Sequence, residues 1–147
     1  MTGAILAALL SLSILQAGPS VLWKAAVNHT QDKQYQLVVT GQIAPDYYVH
    51  PMADEFVGTL LEVDESDQVQ VLGQPTEEFA PTDYKGETVV TGNYILRQDL
   101  QIAAEGTATV TGAVTWSACS GDFCQMPETY GTIRCRRPEI QSISTYG

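Results

Sequence analysis

Apolar and polar residues alternate along most of the chain after residue 20. In the segment 93–102 (NYILRQDLQI), one face of a strand would carry Tyr94, Leu96, Leu100 and Ile102, and most positions between them are charged or amide side chains. A period of two with one polar face is typical of antiparallel strands that have one solvated side. This segment therefore predicts a half-buried antiparallel strand.

Several other segments have the same strand character. They are rich in β-branched or aromatic residues and are bounded by turn residues: 34–43, 59–64, 68–73 and 106–119. The polar tripeptide ESD between 59–64 and 68–73 predicts that these two strands form a hairpin. We find no helical period after residue 20.

About seven short strands separated by turns predict an all-β fold, an immunoglobulin-like sandwich of two antiparallel sheets. The predicted domain covers residues 21–140, and a tail follows over residues 141–147. A chain of 147 residues is long enough for one domain with a hydrophobic core but too short for two. We therefore expect a single domain.

The amino-terminal residues 1–20 differ from the rest of the chain. The segment 4–15 (AILAALLSLSIL) is uncharged and apolar, and QAGPS follows it. This apolar run is too short to span a bilayer but suits the core of a signal peptide, with Ala17 as a small residue before the cleavage site. The alternative is a buried or membrane-anchoring helix. A signal peptide predicts an exported protein, in a compartment where disulfides persist.

The charge balance limits the possible partners. The chain has 7 basic and 17 acidic residues, and its formal net charge is −10. A surface this acidic repels phosphate backbones and anionic lipid headgroups. We therefore expect no nucleic-acid partner.

The candidate chemistry lies in the stretch WSACSGDFCQMPET, where four residues separate Cys119 from Cys124. If Trp116 points into the core, Cys119 lies on the opposite, solvent-facing side near the end of the strand. The residues between the cysteines then form a turn, and a disulfide across the mouth of this hairpin is feasible. Cys135 shares its parity with Ile133, so we expect a buried, unreactive thiol.

Three roles are open to the cysteine pair. A disulfide that closes so short a ring removes only roughly 2 kcal/mol of unfolded-state entropy, against about 4 kcal/mol or more for a long loop, so the pair is a poor structural staple. A metal site would need further ligands from among His29, His50 and Cys135, and the cysteine spacing is wider than in a zinc knuckle. An accessible dithiol at a turn can open and close without unfolding the domain. The spacing therefore favours a redox pair.

The surroundings strengthen this interpretation. The stretch TVTGAVTWSACSGDFCQMPET resembles the active-site hairpin of the amino-terminal periplasmic domain of the DsbD thiol–disulfide interchange proteins. The positions that match the order of that hairpin are Cys119, Asp122, Phe123, Cys124, Pro127, Glu128 and Thr129. The resemblance covers about residues 22–138, and it implies the same immunoglobulin-like fold.

Two further stretches agree with the resemblance. APDYYVHP resembles the family's segment beside the active site, which implies that Tyr47, Tyr48 and His50 surround the cysteines. TDYKGETVV resembles the loop that caps the cysteines with an aromatic ring, which makes Tyr84 the cap and leaves Phe79 as a rival candidate. The alternative is that these residues are ordinary aromatics of strands and strand edges.

The resemblance also implies a function. The reduced pair would carry electrons from a membrane-embedded relay to exported thioredoxin-fold proteins, such as disulfide isomerases and cytochrome-maturation reductases. Cys124 would be the attacking sulfur and Cys119 the resolving one, and no cofactor would be needed. Negative charge on Asp122, and on Asp83, would raise the pKa of the thiols and slow the resting dithiol.

Two other functions remain open at this point. One is an immunoglobulin-like binding adaptor whose disulfide never opens. The other is a small metal-binding chaperone that uses Cys119, Cys124 and His50. The full-length DsbD proteins continue into a membrane domain and a thioredoxin-like domain, so we interpret this chain as a free-standing version or a fragment.

Overall fold

The computed structural model of the protein describes residues 20–103, 108–124, 130–136, 140–142 and 144–146. Within these ranges the chain forms strands and no helix. In chain order the strands are β1 (Val21–Gln31), β2 (Gln34–Ile43), β3 (Tyr48–Val49), β4 (Leu60–Val63), β5 (Val69–Tyr84), β6 (Glu87–Ile102), β7 (Thr109–Thr115), β8 (Ala118–Ser120), β9 (Phe123–Cys124), β10 (Tyr130–Arg136), β11 (Ile140–Ser142) and β12 (Ser144–Tyr146).

The strands form two antiparallel sheets. The larger sheet has eight strands in the order β11-β1-β2-β6-β3-β8-β9, with β5 also paired to β6. The smaller sheet has four strands in the order β12-β10-β7-β4. The predicted all-β fold of two antiparallel sheets is confirmed.

The amino-terminal end of the chain lies largely outside the described residues, whereas much of the carboxyl-terminal end is described. Apart from Ser20, the predicted signal peptide over residues 1–20 lies outside the described residues. Where the chain is described, no helix is long and apolar enough to cross a membrane. The segment predicted as a tail supplies strands to both sheets, because β11 pairs with β1 and β12 pairs with β10.

The long strand β6 organises the larger sheet. β5 pairs with one side of β6 along nearly its whole length. On the other side β2 and β3 follow one another, with Gln42 opposite Asn93 and Val49 opposite Val90. β1 lies beyond β2, and β8 lies beyond β3. The β8–β9 hairpin is therefore on the same side of β6 as β1 and β11. This arrangement places the hairpin at an outer edge of the sheet.

The main core lies between the two sheets, where their inward-facing side chains meet. Trp116 is buried there, and its ring centroid lies 5.4 Å from that of Trp23. Trp23 in turn lies 6.2 Å from the ring of Tyr94. Gly41 makes room for the Trp23 ring, since a Cβ at this position would lie 2.7 Å from one of the ring carbons.

The predicted hairpin over 59–64 and 68–73 is wrong. β4 pairs with β7 in the smaller sheet, and β5 pairs with β6 in the larger one. Between them the amide of Asp64 donates to the carbonyl of Thr111, and the amides of Gln68 and Val69 donate to the hydroxyl of Ser66. These bonds turn the chain from one sheet to the other.

The segment 106–119 forms two strands rather than the single strand predicted. β7 ends at Thr115, and β8 begins at Ala118 in the other sheet. The alternation of side chains nevertheless continues across the change of sheet, because Trp116 and Ala118 both belong to the main core while Cys119 belongs to a separate cluster. The cysteine hairpin therefore starts where the chain leaves the smaller sheet.

Candidate functional site

The β8–β9 hairpin holds Cys119 and Cys124 opposite each other. Ser120 pairs with Phe123 and Cys119 pairs with Cys124, so the loop has two residues and begins with Gly121. Gly121 has a φ of 60°, which a type II′ turn requires at this position and which glycine adopts at little cost. The Cα atoms of the two cysteines are 3.9 Å apart, and their sulfurs form a disulfide. This is the pairing that the sequence predicts.

The two cysteines differ in exposure. Cys119 is 0% exposed, whereas Cys124 is an exposed residue. Cys119 forms a buried cluster with Tyr48 and Val89 outside the main core, and Tyr84 packs against this cluster. The predicted orientation of Cys119 away from the main core is therefore correct, but its predicted solvent exposure is wrong. The difference arises because aromatic rings cover this part of the sheet.

Tyr48 and Tyr84 form that cover, and their ring centroids are 4.7 Å apart. Tyr48 lies on β3 directly opposite Cys119, and its hydroxyl donates a hydrogen bond of 2.8 Å to the carbonyl of Gly121. Burial, and then the neighbouring Tyr84, raise the pKa of Tyr48. Its hydroxyl therefore remains protonated, and remains a donor to the turn, at neutral pH.

Asp122 ties the turn to the cover. The hydroxyl of Tyr84 donates to Asp122 Oδ1 at 2.9 Å, and Lys85 Nζ lies 2.9 Å from Oδ1 and 3.2 Å from Oδ2. The hydrogen bond from Lys85, followed by that from Tyr84, lowers the pKa of Asp122 below its ordinary value. The carboxylate is thus ionised and paired at neutral pH. The positive charge of Lys85 offsets that of the carboxylate, and so opposes the predicted rise in the pKa of the thiols caused by Asp122.

Lys85 is a site residue that sequence reasoning missed. Lys85 and Gly86 have φ values of 51° and 88° and form the two-residue loop between the paired residues Tyr84 and Glu87. The glycine in TDYKGETVV is a turn signal between two strand-like segments, and it could have placed Lys85 at a turn beside Tyr84. Its pairing with Asp122, 37 residues further on, has no local signal.

Tyr47 and His50 both border the cover. Tyr47 packs against the main core, and it lines an open groove together with Tyr48 and Tyr84. His50 is buried, with its ring 5.7 Å from that of Tyr48. The carbonyl of His50 accepts hydrogen bonds from the amide and the hydroxyl of Thr59, which fix the backbone next to β3. Both residues therefore lie next to Tyr48, and neither belongs to the cluster around Cys119.

Phe79 lies in different surroundings. Its ring packs against the main core and meets the ring of Tyr94 edge-on at 5.6 Å, so it is not part of the cluster around Cys119. The structure therefore favours Tyr84 over Phe79 as the cap. Asp83 is exposed and accepts a long hydrogen bond of 3.5 Å from the amide of Gly86 within the β5–β6 turn.

Phe123 and Cys135 complete the predicted set. Phe123 is 87% exposed at the hairpin tip, next to Cys124. Cys135 is fully buried on β10 and takes no part in the disulfide, and its Sγ donates a weak hydrogen bond of 3.6 Å to the carbonyl of Ala25. In the part of the chain that the structure describes, no group of three or more His, Cys, Asp or Glu side chains could hold a metal ion.

Comparison with known proteins identifies the fold. No family model matches the sequence, and no curated protein matches it. Among solved structures, the chain is similar to the amino-terminal domain of DsbD from Neisseria meningitidis in its reduced form. The two are 14% identical with a TM-score of 0.59, and the match covers 90% of this chain and 98% of that one.

The chain is also similar to the amino-terminal periplasmic domain of ScsB from Proteus mirabilis. Here the identity is 11% and the TM-score is 0.52, and the match covers 86% of this chain and 47% of that one. The chain therefore has the fold of the DsbD amino-terminal domain, an immunoglobulin-like sandwich.

Proposed function

We propose that this protein is an exported thiol–disulfide exchange module, a protein-disulfide reductase that passes electrons through Cys119 and Cys124 to thioredoxin-fold partners. One observation carries the proposal: the disulfide closes a two-residue hairpin at the edge of the larger sheet, with one cysteine buried and the other exposed. The resemblance of the hairpin to that of the DsbD proteins supports it, and so does the shared fold.

A purely structural role would explain this disulfide poorly. The bond joins neighbouring strands of one hairpin rather than the two sheets. The ring is short, and its closure contributes only about 2 kcal/mol through the entropy of the unfolded chain. Of the residues in β8 and β9, only Ala118 belongs to the main core. Opening the bond therefore leaves the contacts between the sheets in place.

The proposed reaction proceeds in two balanced steps. The Cys124 thiolate attacks one sulfur of a partner's disulfide, so a bond forms between Cys124 and the partner, and the partner's other sulfur leaves as a thiolate. The Cys119 thiolate then attacks the Cys124 sulfur and re-forms the internal disulfide, and the partner's second sulfur is released. Two electrons pass to the partner. A dithiol donor that attacks Cys124 in the same way regenerates the reduced pair.

The exposures of the two cysteines agree with these roles. An attacking sulfur must be reached by another protein, and Cys124 is the exposed residue of the pair. A resolving sulfur needs only to reach its neighbour, and Cys119 is fully buried beside it. A buried resolving thiol is also shielded from small oxidants. The arrangement therefore protects Cys119 from small molecules and leaves Cys124 accessible.

The location and the partners follow from the resemblance. The apolar segment 4–15 supports export, and the similar ScsB domain is periplasmic. A compartment outside the cytosol allows the disulfide state of the pair to persist. The proposed acceptors are thioredoxin-fold proteins of the disulfide isomerase or cytochrome-maturation type, and the proposed donor is a membrane electron relay.

A redox titration tests the proposal. The purified protein is equilibrated in thiol–disulfide buffers of graded potential, and exchange is stopped by precipitation with acid. The thiols are then alkylated with excess reagent at neutral pH in denaturant, and the products are counted by mass spectrometry. We expect Cys119 and Cys124 to gain and lose two alkyl groups together, at a potential above about −300 mV. The variant Cys135→Ala should give the same curve. A pair that stays oxidised below about −300 mV would instead indicate a permanent disulfide and a binding adaptor.

A further inference from the structure

The smaller sheet ends in the short strand β4, which pairs with β7 on one side. On its other side no further strand lies among the residues that the structure describes. An edge strand directs main-chain N–H and C=O groups outward, where they can pair with another chain, and prolines or bulges block such pairing. The segment 52–74 around β4 contains no proline, and the register of β4 with β7 is regular. The β4 edge therefore permits the addition of a strand.

The nearby edge of the larger sheet is different. Residues 64–68 connect β4 to β5, which forms that edge. β5 has two register irregularities, one between Leu72 and Thr76 and one between Phe79 and Pro81. Pro75 lies within the first of them. These features protect β5 against strand addition, and β4 has neither of them.

The register with β7 decides which main-chain groups of β4 face outward. In an antiparallel pair, residues whose groups bond to the neighbouring strand alternate with residues whose groups point away. The amide of Asp64 donates to the carbonyl of Thr111 at 2.8 Å, which continues the register of β4 with β7. Glu62, two residues earlier, therefore also directs its main-chain groups toward β7. Leu61 and Val63 direct theirs to the open edge.

The side chains of β4 indicate which residues an added strand would carry. Glu62 is exposed on the outer face of the smaller sheet, and a basic side chain opposite it would be stabilising. The linker after β4 adds three exposed carboxylates, Asp64, Glu65 and Asp67. Leu61 is buried in the main core, and half-buried Val63 packs against it, so an apolar side chain beside them would extend the core. Side chains alternate between the two faces of a strand, so basic and apolar residues would alternate along the added segment.

We propose that the β4 edge binds an extended segment of a partner protein in which basic and apolar residues alternate, through main-chain hydrogen bonds to Leu61 and Val63. Strand addition of this kind takes its affinity from the main chain and its specificity from alternate side chains. A second copy of this chain fits less well. The register that pairs Leu61 of one copy with Val63 of the other places the two Glu62 carboxylates opposite each other, and like charges there are destabilising.

The β4 edge is separate from the disulfide. The β8–β9 hairpin belongs to the larger sheet and lies on the side of β6 away from β5, whereas β4 is connected to β5. A segment bound to β4 therefore leaves Cys124 accessible. The partner would bind equally well whether the cysteine pair is oxidised or reduced.

A peptide-binding experiment on the purified protein tests the proposal. The probe is a fluorescently labelled synthetic peptide in which lysine and valine alternate. The control peptide has the same composition, with its lysines and its valines in separate blocks. It carries the same charge but cannot place the two residue types on opposite faces of a strand. Binding is measured by fluorescence anisotropy, and amide hydrogen exchange is measured by NMR with and without the alternating peptide.

We expect the alternating peptide to bind at least about tenfold more tightly than the control peptide, with equal affinity for the oxidised and the reduced protein. Exchange at the amides of Leu61 and Val63 should slow at least about tenfold. Exchange at Glu62 should not change, because its amide already faces β7. Glu62→Lys should weaken binding roughly three- to tenfold. The matched control is Glu87→Lys, the same charge change at an exposed residue of the larger sheet, which should alter binding by less than about twofold.

Three results would overturn the proposal: no binding of the alternating peptide, equal binding of both peptides, or unchanged exchange at Leu61 and Val63. Slowed exchange at these two amides that depends on protein concentration, without any peptide, would identify a second copy as the occupant instead. The site does not depend on the cysteine pair. Failure of the redox titration would therefore remove the exchange function and leave this site standing.

Discussion

The hydroxyl of Tyr84 donates a 2.9 Å hydrogen bond to Asp122, which joins the tips of two hairpins that lie 38 residues apart in the sequence. This bond holds an aromatic ring against the cluster that contains buried Cys119. Cys124, on the other strand of the hairpin, remains exposed. Access to the two sulfurs of one disulfide is therefore controlled separately.

The reduced protein should show this difference directly. We expect iodoacetamide to modify Cys124 at least about tenfold faster than Cys119, because reaction needs an accessible thiolate. Buried Cys135 serves as an internal standard and should react more slowly than Cys124. Short pulses of alkylation followed by peptide mass spectrometry give the three rates. Equal rates at Cys119 and Cys124 would show that the cover opens freely once the disulfide is reduced.

Removal of the cover should expose Cys119. The substitution Tyr84→Ala removes a ring contact with Tyr48 worth about 0.5–1.5 kcal/mol, so alkylation of Cys119 should accelerate roughly two- to tenfold. Tyr84→Phe keeps the ring and loses only the hydrogen bond to Asp122. Alkylation of Cys119 in this variant should therefore be faster than in wild type and slower than in Tyr84→Ala.

The matched control is Phe79→Ala. Phe79 packs on Tyr94 in the main core, so this variant should lose stability without changing the rate at Cys119. If Phe79→Ala opened Cys119 and Tyr84→Ala did not, the cap would be Phe79.

Acid should loosen the cover through Asp122. Lys85 and then Tyr84 lower the pKa of this carboxyl, so its ionised form favours the closed arrangement above its ordinary value of about 3.9, and the effect is lost as the pH falls through the lowered pKa. In the reduced protein, the alkylation rate of Cys119, taken relative to that of exposed Cys124, should be roughly two- to fivefold higher in Asp122→Asn than in wild type at about pH 6. The ratio of the variant to the wild-type value should approach one below the lowered pKa. A ratio that stays constant as the Asp122 carboxyl becomes protonated would exclude it as the titrating group.

The packing between Trp23 and Gly41 makes a prediction about stability. A Cβ at position 41 would lie 2.7 Å from the Trp23 ring, so Gly41→Ala should lower the free energy of unfolding by about 1–3 kcal/mol. Thr40→Val, on the exposed face of the same strand, should change it by about 0.5 kcal/mol or less. Urea denaturation measures both changes. An unchanged midpoint for Gly41→Ala would mean that the Trp23 ring shifts without cost.

Local patterns predicted the strands and the disulfide well. The alternation in 93–102 correctly assigned Tyr94, Leu96, Leu100 and Ile102 to the core, because side-chain direction in a strand depends only on sequence parity. The pairing of the cysteines also has a local cause, the two-residue turn that begins with Gly121.

What the sequence could not predict depends on distant contacts. The partner of β4 is β7 rather than the next strand, since either choice would bury the same apolar face. Cys119 lies on the side that parity predicts, but Tyr48 and Tyr84 reach it from two other strands and bury it. The ion pair of Lys85 with Asp122 likewise joins two turns whose proximity depends on the whole sheet.

The burial of Cys119 has a consequence for how electrons would flow through the molecule. With only the sulfur of Cys124 accessible, the proposed donor and acceptor must both react there, one after the other. No ternary complex can form at the disulfide, so the kinetics would be of the ping-pong type. Each partner is then a competitive inhibitor of the other. A partner that is slow to leave Cys124 would block both the reduction of the pair by its donor and its oxidation by its acceptor.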